Sequence, residues 1–218
     1  MVIFAQAYFS FLINIYNKHM NGYLAFTARI LGLYAAILAF IHGLFEFQQG
    51  NVIVESISIN AIDNGCIADQ IWHACFPAMT IWPTYLTAGL ITIIISSLFF
   101  HFVIFFLNKH YSPWIVVAFS IVNLLSGSGF IPTFTAILSA IALLIYNKQT
   151  NKSIRKQPVY AGIWIFLLTI YILYAAGGWL AGRYLNAFMI NQSVFLFLSM
   201  DIFLPILCII FAWKMDFR

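Results

Sequence analysis

Charge is what this sequence has least of. Only 7% of its 218 residues are Asp, Glu, Lys or Arg, against about a quarter in a soluble domain. Too few charges are present to coat a water-facing surface, so a soluble globule is excluded. A chain that is 63% hydrophobic, with a mean hydropathy of +0.96, must be solvated by lipid. The formal net charge of +4 could suit a nucleic acid. The basic residues, however, stand at the ends of apolar runs, where they orient a chain in a bilayer, and no nucleic-acid partner is expected.

Cysteine is scarce as well. There are three, with no Cys-x-x-Cys, which excludes a thioredoxin-like redox couple. Walker A, HExxH, GxSxG and dinucleotide fingerprints are all missing, so the soluble-enzyme chemistries have no support and no cofactor is expected. Residues 1–17 lack the basic start and small-residue cleavage site of a secretory leader. Residues 1–20 read instead as an interfacial segment, or as sequence upstream of a start at Met20.

What the chain does have is apolar runs of about 20 residues, the length that crosses roughly 30 Å of hydrocarbon as a helix. They fall near 23–45, 84–107, 114–146, 159–177 and 187–213. The third is interrupted by SGSGFIP. Short cytoplasmic loops collect Lys and Arg, and this rule decides how the third run is threaded. A single crossing would put the strongest basic cluster, Lys148 to Lys156, outside. A hairpin turning at Ser126–Gly129 returns it to the side of Lys109, Lys214 and Arg218. The expectation is therefore an all-α polytopic membrane protein of about six spans, residues 1–218 forming one integral membrane domain. Both termini are then cytoplasmic in a cell membrane, and residues 47–82 form an extracytoplasmic loop. The hairpin arms, about 15 to 17 residues each, are at the short limit for crossing and could form a re-entrant pair.

The stretch from Ile41 to Pro83 holds four of the six acidic residues, two of the three cysteines and no Lys or Arg. At about 100° per residue, Gly32, Ala36, Ala39 and Gly43 line one stripe of the first span. Such a stripe lets helix backbones approach closely in lipid. His42 and Glu46 are four apart, stack on one face and flank that stripe. They can bind a metal, hold a proton, act as acid and base, or simply orient the helix end, and His73 could join them if the loop folds back. Cys66 and Cys75 share the loop, where a bridge is weighed against two free thiols and against metal ligation. If bridged, they would close about ten residues and stiffen the loop as a lid by about 2–3 kcal/mol.

Asp201 stands near the middle of the last span, where ionisable groups are costly and functional by default. Pro205, four residues on, displaces the Asp201 carbonyl. Asn123 comes out at a similar depth, about 17 to 20 Å in, which predicts an Asp201–Asn123 pair, either a structural hydrogen bond or part of a proton or cation pathway.

The His42–Glu46 spacing resembles the His and Glu of an early span in emopamil-binding-type sterol isomerases, small polytopic proteins. The resemblance covers these two residues alone, and implies an intramembrane enzyme acting on a sterol-like lipid. Three functions follow as expectations. The chain handles a small solute, ion or lipid within the bundle, as a transporter or channel would. Alternatively it modifies a lipid through His42 and Glu46, or it is a structural subunit of another membrane complex. Its partners are the bilayer, such a ligand and a membrane protein.

Overall fold

The computed structural model describes residues 22–60, 77–149 and 158–217. Five of its helices are long and apolar enough to cross a membrane and a sixth is shorter, so the chain is an all-α polytopic bundle. In chain order, α1 is Tyr23–Gln48 and the strands β1 (Ser58–Asn60) and β2 (Pro77–Met79) pair antiparallel. Then come α2 (Tyr85–Phe105), α3 (Ser112–Ser126), α4 (Phe130–Gln149) and α5 (Pro158–Tyr184). The short helices α6 (Asn186–Asn191) and α7 (Ser193–Leu196) lead into a π-helical turn, Phe197–Phe203, and then α8 (Leu204–Phe217). The last crossing runs over Val194–Asp216, several residues later than the apolar run alone suggests, because the backbone breaks between Asn191 and Ser193.

The expected hairpin is present. Pro113 opens the first turn of α3, where its missing N–H costs nothing, and Gly127 closes it at φ +120°, a conformation that glycine adopts freely. The Gly127 N–H bonds the Leu124 carbonyl at 3.3 Å and the Ser128 N–H bonds the Asn123 carbonyl at 3.1 Å, the paired closure of a glycine-terminated helix. At 15 residues, α3 reaches about 22 Å and stops short of a full crossing. α4 is longer than expected, at 20 residues.

α1 is the hub. Some 67% of its membrane window is buried, against 17% for α5, and it packs on α2, α4 and α8. Its small stripe makes this possible. A Cβ on Gly43 would sit 3.0 Å from the Ile93 nitrogen, and one on Gly89 would collide with the Phe47 backbone. Here α1 and α2 cross backbone to backbone. Further down, the Ser139 hydroxyl donates to the Ala28 carbonyl at 2.6 Å, and the Trp164 indole donates to Thr27 Oγ1 at 2.9 Å.

Both ends of the bundle are tied. The Asp216 carboxylate accepts from the Tyr23 and Leu24 amides at 2.9 and 2.8 Å, capping the N-terminus of α1, where orphan N–H groups favour an anion. The start of α1 and the end of α8 therefore share one end of the bundle, with Arg29 donating to Asn108 Oδ1 at 3.2 Å nearby. At the other end, the strands rest on the α3–α4 turn. The Ile81 amide bonds the Leu125 carbonyl at 3.0 Å, and Thr92 Oγ1 donates to the Ser126 carbonyl at 2.8 Å.

Candidate functional site: two acids inside the bundle

The α1–α2 crossing turns the His42–Glu46 face of α1 onto the α3–α4 hairpin. A Cβ on Gly127 would overlap both carboxyl oxygens of Glu46, and one on Gly129, at φ +84°, would lie 3.0 Å from His42 Cε1. Only glycine leaves room for these side chains, which lie directly on the turn. Glu46 is fully buried and His42 is 3% exposed, yet neither Glu46 oxygen nor His42 Nδ1 has a hydrogen-bond partner. Ser128 Oγ and Asn123 Oδ1, both buried at the same turn, are unbonded too. So are both polar atoms of the Gln49 side chain, one turn beyond Glu46. Buried polar groups are rarely left unpaired, and here several gather within one turn.

Asp201 is housed differently. It is the buried residue of the π-helical turn, a wider coil in which the Leu204 N–H reaches back five residues to the Ser199 carbonyl. Pro205 accounts for the widening, because it has no N–H to return to Asp201 and its ring pushes that carbonyl aside. Asp201 Oδ2 accepts from the Tyr174 hydroxyl at 3.0 Å. Tyr34 and Tyr171 also lie within electrostatic range of the carboxyl, and their rings meet edge to face at 5.4 Å. Thr135 Oγ1 lies close to Tyr171, but neither hydroxyl has a hydrogen bond of normal geometry.

The expected Asp201–Asn123 hydrogen bond is not formed. Tyr174 holds the acid, and Asn123 belongs to the other cluster. Equal depth says nothing of lateral neighbours, and α3 packs on α2 and α4. His73, Cys66 and Cys75 lie outside the described residues. Among the described residues, no three His, Cys, Asp or Glu side chains gather as a metal site.

Asp201 is itself buried, at 3% exposure, and the two sites differ in what lies beside them. A cleft of about 180 Å³ runs between α1 and α5, lined by apolar side chains including Leu33, Ile37 and Ala175, with Tyr34 and Tyr171 in its wall. Ile37 is 47% exposed, so the cleft opens on the flank that lipid covers. A hollow of about 240 Å³ between α1 and α2 ends at His101, whose Nδ1 already contacts the Ser97 carbonyl at 2.9 Å.

No protein-family model, curated protein or solved structure matches this chain. The geometry has to speak for itself.

Sequence reasoning missed Tyr34, Tyr171, Tyr174, Thr135, Gln49 and Ser128. The tyrosines carried a signal, being polar-tipped residues inside apolar runs, but aromatics in a membrane chain read first as anchors. Ser128 was visible only as part of a turn.

Proposed function

We propose that this multi-pass membrane protein binds a small amphipathic molecule that enters from the lipid phase between α1 and α5. The molecule lays its apolar part in the cleft and directs a hydrogen-bond-donating head toward Asp201. The observation that carries this reading is the junction of an open apolar cleft with a convergent polar cluster. Tyr34 and Tyr171 stand in the cleft wall, and the buried Asp201 lies within electrostatic range of both. Ligand sites are mostly apolar with a few placed polar groups, and an acid inside a membrane helix bundle is functional by default. Asp201 supplies the acceptor, Tyr174 orients it, and the unbonded Tyr171 hydroxyl supplies a second contact.

The cleft walled by Tyr34 and Tyr171 favours this site over lipid chemistry at His42 and Glu46. A lipid-modifying enzyme would have to bring its substrate to Glu46, which is fully buried. By the distribution of basic residues, the end carrying Lys109, Lys148 and Lys214 faces the cytoplasm and the β1–β2 end faces outward across a cell membrane.

The test is binding of single-chain amphiphiles to the purified protein, followed by thermal shift and native mass spectrometry. An alkylamine should bind at least tenfold tighter than the alkyl carboxylate of equal length, and Asp201→Asn should erase the preference. Equal binding of the two, or a preference that survives Asp201→Asn, overturns the reading.

A further inference from the structure

The unbonded oxygens at the α3–α4 turn form a site of their own, independent of any ligand at Asp201. We propose that Glu46, with Ser128 and Asn123 of the turn, binds one small monovalent cation of the sodium class. Four observations lead there. Glu46 and Ser128 are fully buried and Asn123 is 3% exposed, so no water-facing side is left to satisfy them. Both Glu46 oxygens, Ser128 Oγ and Asn123 Oδ1 lack any hydrogen-bond partner, and no described lysine or arginine pairs with the carboxylate. The carboxylate lies on Gly127, the residue that ends α3, where a helix presents its negative pole and favours a positive charge. Finally, the hairpin is broken by two glycines with φ of +120° and +84°. A broken membrane helix whose C-terminal end lies against a buried acid resembles the half-helix ends that coordinate sodium ions or protons in transporters.

Charge and donor chemistry select the class. One positive charge neutralises one carboxylate, whereas a divalent ion would leave a net charge buried in an apolar surround. The donors are carboxylate, amide and hydroxyl oxygens, which suit hard cations. A proton alone serves less well. A proton removes the charge on Glu46 but supplies one donor for four unbonded oxygens, the two of Glu46, Ser128 Oγ and Asn123 Oδ1. His42 packs on Gly129, next to the residues of the site.

Thermal unfolding of the purified full chain, in sodium, lithium, potassium or choline chloride at constant pH and ionic strength, tests this. Sodium should raise the midpoint by several degrees in a saturable way while choline does not. The shift should vanish in Glu46→Gln and persist in Glu55→Gln, an exposed acid of the neighbouring loop. Should Glu46→Gln fail to fold, equilibrium binding of radioactive sodium decides. One ion per wild-type chain, with affinity at least tenfold weaker in Ser128→Ala, supports the site. Stability that follows pH but not sodium, a shift that survives Glu46→Gln, or no bound sodium overturns it.

Discussion

Glu46 and Asp201 are both carboxylic acids in membrane-spanning helices, and the protein houses them in opposite ways. Glu46 sits on a regular α-helix and is pressed into a break in its neighbours. Asp201 sits in a break of its own helix and is held by a regular neighbour, α5. The first is fully buried against the α3–α4 turn, while the second, also buried, lies within electrostatic range of two tyrosines that wall a cleft open to lipid. A buried acid with unbonded oxygens calls for an occupant no larger than an ion. An acid near an open cleft can meet the head of a larger molecule. The difference in what lies beside them, more than any difference in chemistry, divides the two roles.

The sharpest way to break this comparison is at Gly127. Alanine there would have to adopt a φ of +120° and place its Cβ on the Glu46 carboxyl. Together the strain and the collision should cost about 3–5 kcal/mol, read as a large fall in the unfolding midpoint. Glu46→Ala added to Gly127→Ala should restore about 1–2 kcal/mol, the signature of two groups in contact. If the double variant is no better than Gly127→Ala alone, Glu46 does not rest on the turn.

At the open site the expected losses are smaller. Tyr174→Phe removes the hydroxyl that donates to Asp201 and should cost about 1–3 kcal/mol, the range for stranding a buried polar group. A double-mutant cycle of Tyr174→Phe with Asp201→Asn should give a coupling of about 1–2 kcal/mol, and one of Asn123→Ala with Asp201→Asn less than about 0.5 kcal/mol. A sizeable Asn123–Asp201 coupling would restore the pairing that depth alone suggests.

That contrast shows what the sequence could and could not carry. Composition and run length fix a polytopic helical bundle, since a chain this poor in charge has no other solvent. Charge placement also chooses the hairpin over the single crossing, and the glycine-rich turn falls where the basic residues require it. The stacking of His42 on Glu46 follows from helical spacing. Their partners do not, because nothing local links position 46 to position 127. Two helices meeting at Gly43 and Gly89 set that contact, and the fit appears only once the backbones approach. For Asp201, distance along a helix axis gives depth and not azimuth. The π-helical turn then adds a rotation that no ideal helix includes. Where the sequence did signal trouble, at Pro205, the trouble was real.

A cap at the shared end of the bundle offers a neutral reference. Asp216→Ala strips the acceptor from the Tyr23 and Leu24 amides and should cost about 0.5–2 kcal/mol, as loss of a helix N-cap does. Sodium dependence and amphiphile binding should both be unchanged. Loss of either would mean that the ends of the bundle, rather than its two acids, govern the sites.

The smallest effect on stability, and the finest test of the open site, is expected at Pro205. Alanine would supply the missing N–H, letting the Asp201 carbonyl regain a bond four residues on and the wide turn tighten toward an α-helix. The gained hydrogen bond and the lost packing should nearly cancel, leaving a net change of about 1 kcal/mol or less. Tightening by one residue, however, turns the coil before it by about 100° relative to the coil after it, which would carry the Asp201 side chain off Tyr174. The Tyr174–Asp201 coupling should therefore collapse in Pro205→Ala, and the preference for an alkylamine with it, while the sodium response at Glu46 stays intact. If the coupling survives, the wide turn is held by the packing of Asp201 against α5, and the proline follows the site without creating it.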